Sequence, residues 1–553
     1  MKDNLRSTIR KSDLYAPLRR WRLSQTVRQP GYLPDWATLI EGNAAEWMAS
    51  VYSARGPKVC IASSLGMHST INTIDSLIAV ALTLRGARVE ILLCDGRLPA
   101  CQLIEHTLVP SVRRAAQRGP QADFCAICTD AGNRVYTPLG LPVRSFGDYL
   151  CADDMLDSDA FASDHHNSEL DEHALAGALR FFGKSTLGNS DAEIQILNRY
   201  RQAAFLVDRA AQRLFEERGY DVVVAHHGIY VPQGQIARAA RAAGKRLVTW
   251  HPAYRRSTLI YQHRDTYHRE MIAEPESRWG PRPLTEAEDN ALERYLTERE
   301  TGATDWIRFQ RQAPQPERKV WDKLKLDPSK STFLLAANVA WDARLHYPGS
   351  AYGDMIAWTH DTVDWFSRHP ERQLIIRCHP GEIMNSPRAQ QRLDDAIQQR
   401  WPQMPPNIRV ITPEMTDNTY GLAKICRALL IYNTKLGVEI AARGLPVIVA
   451  GDAWIRGKGF SHDATDRDSY LCFLENAEMM VRLSASEQDR ARRYAYHFFF
   501  RRCIPVSALD PNAGWPLTTL ASGAFAAAHP GADPGIDTIC SGILTGTPFE
   551  YKH

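Results

Sequence analysis

The feature that most constrains this chain is a repeated order of short apolar runs, small-residue loops and amphipathic stretches. Lys58-Val-Cys-Ile-Ala62 ends in Ser63-Ser-Leu-Gly66, an apolar-periodic stretch runs through Ile74, Leu77, Val80 and Leu84, and Val89-Glu-Ile-Leu-Leu-Cys94 follows Gly86. This predicts strand, helix, strand, and two parallel strands require the helix as a crossover. The order returns after a long predicted helix from Ala192 to Glu217: Asp221-Val-Val-Val-Ala225, the loop His226 to Gly234, a helix to Ala243, then Arg246-Leu-Val-Thr-Trp250. A second alternation starts near residue 320, with strands expected at 332–336, 373–377, 407–411, 428–432 and 446–450. Two α/β domains of similar size follow from that pattern.

Other architectures are excluded by composition. The chain has 553 residues, 44% hydrophobic and 23% charged, which is enough to bury cores without staples and too ordinary for long disorder. With 66 Lys+Arg against 63 Asp+Glu the net charge is +3, too balanced for a protein that neutralises a nucleic-acid backbone, so no nucleic acid is expected as a partner. The longest apolar runs, such as Leu445 to Ala450, are far too short to span a bilayer, and Met1 to Arg6 lacks a secretory pattern. A cytoplasmic protein is expected. Residues 1–28 carry Lys2, Arg6, Arg10, Lys11, Arg19, Arg20, Arg22 and Arg28, interleaved with Leu14, Tyr15, Leu18, Trp21 and Leu23. That suits either an arm packed on the domain or peripheral attachment to an anionic inner-membrane surface. Cys151 to His173 is acidic throughout and reads as a solvated loop.

Chemistry concentrates where strands of the second domain end. Ile375-Ile-Arg-Cys-His-Pro-Gly-Glu382 places Arg377, His379, Pro380 and Glu382 at a predicted strand end, where an imidazole can donate to a departing phosphate. Strand 428–432 runs into Asn433-Thr-Lys-Leu-Gly-Val-Glu439, in which Asn433 or Thr434 can cap the helix carrying Gly437, and Lys435 can neutralise an anion held there. Glu439, further along, can accept from two sugar hydroxyls. Lys458 and Arg456 lie in a Gly-rich loop able to close on the same phosphates, and Asp342, beside Arg344 and His346, follows the first strand as an orienting carboxylate or a simple cap.

Arg377-Cys-His-Pro-Gly-Glu382, Asn433 to Glu439 with Gly444-Leu-Pro-Val-Ile-Val449, and Lys458-Gly-Phe before Asp463 resemble the bacterial capsule polysaccharide biosynthesis glycosyltransferases, an HP-motif family that includes the retaining β-Kdo transferases. The resemblance spans about residues 320 to 475, and Asn433-Thr434 stands where members often carry Ser-Ser or Ser-Thr. It implies a GT-B fold, two facing Rossmann-like domains with parallel sheets. The expected organisation is a basic arm at 1–50, an N-terminal acceptor domain at 51–268, a helical bridge at 269–320, a C-terminal donor-nucleotide domain at 321–480 and a helix and tail at 481–553. The implied activity is transfer of a CMP-activated acidic sugar, of the Kdo or nonulosonate type, to a surface or capsular glycan. His379 would meet the donor phosphate and Glu439 the ribose, with no cofactor required for catalysis. Partners would be the nucleotide sugar, the glycan acceptor and capsule assembly proteins. A CDP-glycerol-type polyol-phosphate transferase and a non-catalytic glycan- or nucleotide-sugar-binding partner are the alternatives.

The N-terminal domain should then supply the acceptor pocket. His226, His227 and Tyr230 form a strand-end loop suited to a sugar ring, His251 ends the next strand, and His68 completes the rim. The base stays open among His68, His227 and Asp265. Separately, Cys94, Cys101, Cys125 and Cys128 include a C-x2-C pair and read either as a structural zinc site or as ordinary buried thiols, since six residues between Cys94 and Cys101 is not a usual knuckle spacing.

Overall fold

The computed structural model describes residues 15–109, 111–163, 169–302, 305, 309, 312–343, 345, 349–510 and 519–552. The chain divides into two units, each an α/β Rossmann-like fold. Unit 1 contains Met1–Phe182, Leu187–Tyr267 and Arg502–His553, and unit 2 contains Gly183–Thr186 and His268–Arg501. The basic arm therefore belongs to unit 1 and the bridge to unit 2, while the segment 481–553 is divided, its helix Ala485–Tyr496 lying in unit 2 and the chain from Arg502 in unit 1. Residues 1–14 of the arm, and Arg344 and His346, lie outside the described residues.

Unit 1 is built on β1 (Lys58–Ser64), β2 (Arg88–Leu93), β3 (Val143–Ser145), β4 (Val222–His226), β5 (Arg246–Pro252) and β6 (Thr258–His263). The order is β6-β5-β4-β1-β2-β3, parallel except for β6, which turns back against β5. Helix Ser69–Leu84 returns the chain from β1 to β2, whereas Gln233–Ala242 carries it from β4 to β5 on the opposite side. Adjacent strands β1 and β4 thus form a topological switch point, where two loops diverge and leave a crevice at the carboxyl ends. Helix Ser69–Leu84 is buried over nearly its whole circumference, including the polar side chains of its first half, Ser69, Thr70, Asn72, Thr73, Asp75 and Ser76. The 28-residue helix Asp191–Arg218 starts at Ser190, whose hydroxyl accepts from Glu193 N–H, and stops at left-handed Gly219.

Unit 2 contains β7 (Thr332–Ala336), β8 (Gln373–Arg377), β9 (Ile408–Ile411), β10 (Ala428–Ile431), β11 (Val447–Val449) and β12 (His462–Asp463), all parallel in the order β12-β11-β10-β7-β8-β9. Helix Met355–Ser367 leads from β7 to β8 and helix Leu436–Ala442 from β10 to β11, so β7 and β10 form a second switch point of the same kind. The chain finally returns to unit 1, where β13 (Ile504–Pro505) pairs antiparallel with β6 at the sheet edge.

Two local readings change. The acidic stretch read as a loop forms helix Ala152–Ser163 and the start of helix Glu169–Phe182, residues 164–168 lying outside the described residues. Its buried carboxylate Asp154 pairs with Arg213 of the long helix, a partner 59 residues away that local sequence does not reveal. The arm is a helix over Ala16–Val27 whose Val27 is buried, while Trp21 is 58% exposed.

Candidate functional site

In unit 2, the residues that follow β7 and β10 meet. Asn338 Nδ2 donates to Asn433 Oδ1 at 3.3 Å, joining the two loops of the switch point. Thr434 Oγ1 accepts from Leu436 N–H at 3.4 Å and caps the first turn, and Gly437 lies against the sheet because a Cβ there would sit 2.6 Å from Ile431. Lys435 and Glu439, one helical turn apart, form an ion pair of 3.1 Å.

That pair is part of a larger buried network. Arg299 Nε stands 3.0 Å from Glu439, and its guanidinium also pairs with Asp305; Tyr420 donates its hydroxyl to the second Glu439 oxygen. Burial works to raise the Glu439 pKa, but Arg299 and Lys435 outweigh it and hold the carboxylate ionised. Burial, followed by the Arg299 charge, lowers the Lys435 pKa. Both Glu439 oxygens hold partners from within the protein, and the carboxylate sets the position and charge of Lys435. Arg299 and Tyr420 went unseen in this role because they lie far away in sequence, Arg299 in the segment read as a bridge.

His379 follows β8 and is partly exposed, with the Phe309 ring edge-on at 4.7 Å between centroids. Burial, then the charges of Arg377 and Lys435, lower its pKa to about 3, so the imidazole is neutral at physiological pH. Gly381 N–H donates to its Nδ1 at 3.0 Å. Nδ1 is thus the lone pair and Nε2 carries the hydrogen, a tautomer fixed by the backbone. His379 thus offers one oriented neutral donor, and Lys435 supplies the positive charge. Gly381 is required here, because a Cβ would come within 2.7 Å of that same Nδ1. Pro380 begins the single-turn helix Gly381–Met384 behind the imidazole.

Three cations expected at the donor, Lys458 and Arg456 at its phosphate and Arg377 at its acidic sugar, have partners within the protein. Arg377 donates to the carbonyls of Thr412 and Met415 at 2.8 and 3.0 Å. Lys458 is buried, with Nζ 2.8 Å from Ile272 O and 2.6 Å from Glu274 O, and burial lowers its pKa to about 8. Arg456 donates to the carbonyls of Gly451 and Ala464 at 2.7 and 2.8 Å. All three tie loops together. Asp342 is exposed in the turn after Val339, whose carbonyl accepts from its N–H at 3.2 Å.

The unit 1 switch point brings its predicted residues together. The His226 ring lies 4.1 Å from His227, 5.5 Å from His251 and 5.8 Å from His68 between centroids, and the Tyr230 ring stands edge-on to His227 at 5.1 Å. Burial lowers the pKa of His68 to about 4 and that of His226 well below its ordinary value. Beneath them Asp75, fully buried, accepts from Trp250 Nε1 at 2.8 Å, and burial pushes its pKa up to about 8 despite bonds from Ser63 and Trp250. Gln233 and Gln235, completely buried at the start of helix Gln233–Ala242, have no hydrogen-bond partner for their carboxamides among the described residues and were missed in the sequence. The charge that bears on these neutral rings is the Arg180 guanidinium, 5.6 Å from the centre of the Tyr230 ring, which also lowers the His68 pKa.

Backbone contacts assign the imidazole tautomers. His68 Nδ1 accepts from Ile71 N–H and His227 Nδ1 from Ile229 N–H, so both present Nε2–H and act as donors. His251 Nδ1 lies 2.7 Å from the Pro252 carbonyl and must donate to it, which puts the lone pair on Nε2. His251, placed by sequence among the acceptor contacts, is the imidazole with the tautomer of a base. Asp265 accepts from Thr266 N–H at 2.7 Å and faces Arg241 at 3.9 Å.

No family model matches the chain, and no curated protein matches it. Similar solved structures include the β-Kdo 2,4 transferase KpsC of Thermosulfurimonas dismutans, 16% identical over 50% of this chain and 79% of that one, with a TM-score of 0.33. A UDP-GlcNAc 2-epimerase from Neisseria meningitidis is 10% identical over 79% and 95%, TM-score 0.24. A sucrose-phosphate synthase from Thermosynechococcus elongatus is 11% identical over 80% and 95%, TM-score 0.28.

Proposed function

We propose that this chain is a GT-B glycosyltransferase in which the unit 2 switch point holds the phosphate of a nucleotide-activated sugar. The observation that carries the reading is His379, with its Nε2–H fixed by the Gly381 N–H and the charge of Lys435 near enough to bear on it. A neutral imidazole donor and an ammonium are matched to a phosphate that gains charge as the glycosidic bond breaks, and they need no divalent cation between them. The Arg299–Glu439–Tyr420 network holds Lys435 before substrate arrives, so little reorganisation accompanies the transition state.

The motifs around His379 and Asn433 to Glu439 support a CMP-activated acidic sugar, Kdo or nonulosonate, as donor. The acceptor, a bacterial surface or capsular glycan, would lie on the imidazoles and Tyr230 of unit 1, with Gln233 and Gln235 hydrogen-bonding its hydroxyls and His251 Nε2 taking the proton. The enzyme would work in the cytoplasm, with the exposed Trp21 and the arginines of helix Ala16–Val27 resting on the anionic inner membrane beside the assembly machinery.

Calorimetry with CMP, CDP, UDP, GDP and ADP, with Mg²⁺ or EDTA, tests the reading. Selective CMP binding that survives EDTA and is lost in His379→Ala is expected. Preference for a diphosphate would overturn the CMP assignment, and no binding of any nucleotide would favour a glycan-binding partner. Phosphate transfer from CDP-glycerol would make the enzyme a polyol-phosphate transferase.

A further inference from the structure

The loop that follows β2 has two faces. Cys94, Leu98 and Cys101 join Cys125 and Cys128 around an apolar cavity of about 20 Å³, where burial raises the pKa of all four thiols. Arg97 and Pro99, from the same loop, line a second cavity of about 480 Å³ that is open to solvent. Its size lies within the roughly 300–1,000 Å³ of sites that take small ligands, and neither switch point uses it.

One wall comes from the 28-residue helix. Gln195, Asn198, Arg199 and Gln202 are spaced i, i+3, i+4 and i+7 on Asp191–Arg218, so they form a stripe along it, and all four border the cavity. A helix face that served only for packing would carry apolar side chains at that spacing. Carboxamides both donate and accept, as the hydroxyls of a sugar require. The other walls include Gln121, whose Nε2 donates to the Leu98 carbonyl at 2.7 Å, and Asp159, which accepts from Gln202 Nε2.

The charge is set by Arg199. Its Nε donates to the Ala116 carbonyl, which fixes the plane of the guanidinium, and a Cβ on Gly119 would come within 3.1 Å of its Nη1. Gly119 has a φ of +61°, so bare backbone keeps that approach open. Burial lowers the Arg199 pKa, with no carboxylate acting to raise it. A half-buried guanidinium so placed is matched to a carboxylate, which its two Nη groups can bind together. Arg97 adds a second guanidinium, 68% exposed and 3.8 Å from Asp95.

The cavity and the unit 1 switch point share this loop. Gln102, three residues past Pro99 and so within about 11 Å along the chain, donates its N–H to the Val231 carbonyl at 2.8 Å and accepts from Arg180 Nη1 at 2.7 Å. Val231 belongs to the loop after β4 and Arg180 stands against Tyr230, so the loop leads from the crevice to the cavity.

We propose that this cavity is a second acceptor subsite, holding an inner, carboxylate-bearing sugar of a glycan whose end lies in the unit 1 crevice. The inference rests on the assignment of that crevice to the acceptor. No bond forms or breaks in the subsite; it holds the chain while its end reacts.

Calorimetry of the full chain with trigalacturonic acid, maltotriose and inorganic phosphate tests this. Trigalacturonic acid should bind at least about 10-fold more tightly than maltotriose, and Arg199→Gln should remove that difference. Gln195→Ala, at an exposed helix position, should weaken binding about 2- to 10-fold and leaves a test standing if Arg199→Gln, which also loses the Ala116 contact, fails to fold. CMP binding should be the same in both variants. Equal affinity for maltotriose, no binding of the acidic trisaccharide, or full affinity in the folded variants would overturn the proposal. Displacement of the trisaccharide by an equal concentration of phosphate would reduce the cavity to a simple anion site and overturn it as well. Arg199-dependent binding in a chain that binds no nucleotide would keep the glycan site and overturn the transferase reading; CMP binding without it would do the reverse.

Discussion

The two switch points share a topology and differ in charge. In unit 2 the loops after β7 and β10 gather around a buried network of Arg299, Asp305, Glu439 and Lys435, whereas in unit 1 the loops after β1 and β4 gather imidazoles, carboxamides and a protonated acid. Identical strand logic therefore builds one crevice around a buried network of ion pairs and another around neutral imidazoles with a single guanidinium, Arg180, beside them. Strand order fixes where a ligand enters, and the residues just beyond the strand ends decide its chemistry.

The largest effect should come from breaking the charged network. Glu439→Gln leaves Arg299 and Lys435 buried without their shared carboxylate, and removing one partner of a buried pair typically costs about 3–5 kcal/mol. Chemical denaturation of unit 2 should register that loss. An unchanged midpoint would mean that the network is not what holds Lys435. No single change among the unit 1 imidazoles should approach this effect, because no ion pair is broken there.

Nucleotide binding separates the two crevices more directly. His379→Ala removes one oriented donor to a charged phosphate, worth about 1.5–3 kcal/mol, and should weaken CMP binding roughly 10- to 150-fold by calorimetry. His226→Ala in unit 1 should leave CMP affinity nearly unchanged. Comparable losses in both variants would erase the distinction between a nucleotide crevice and an acceptor crevice.

The contrast was only partly readable from sequence. Strands β7 and β8 occur at their expected residues, because continuous apolar runs bounded by turns specify buried parallel strands. The cluster of His68, His226, His227 and His251 was also legible, since each lies at or just beyond the end of a strand that topology places beside the next. Strand β13 was not, being two residues long and dependent on the chain's return from unit 2. The Arg299–Glu439 pair spans 140 positions and leaves no local trace. The position of His379 after a strand was legible, but its ionisation was not, because burial and neighbouring cations rather than residue type set it.

A cation of unit 2 that lies outside the crevice gives a sharper, smaller test. Lys458→Met removes the donor to the Ile272 and Glu274 carbonyls, and two buried acceptors left unsatisfied should lower stability by about 1–3 kcal/mol. CMP affinity should be unaffected. A loss of affinity as large as that of His379→Ala would return Lys458 to the phosphate site.

The smallest effect, per pH unit, distinguishes the units by their buried acids. Asp75 in unit 1 and Glu382 in unit 2 both have pKa values pushed up to about 8, chiefly by burial. Each folded unit then holds a proton that the unfolded chain releases near pH 4, so this contribution is full below that pH and declines as pH rises through about 8. The slope reaches about 1.4 kcal/mol per pH unit for one group within that window. Asp75→Asn keeps the acceptor for Trp250 Nε1 and should flatten the slope in unit 1 alone; Glu382→Gln should flatten it in unit 2, where Glu382 accepts from Leu393 N–H at 3.0 Å. Hydrogen exchange followed by mass spectrometry between pH 5 and 8, corrected for intrinsic rates, reads peptides of each unit separately. If Asp75→Asn changes protection in unit 2 as much as in unit 1, the two units unfold together, and their different crevices rest on one shared stability.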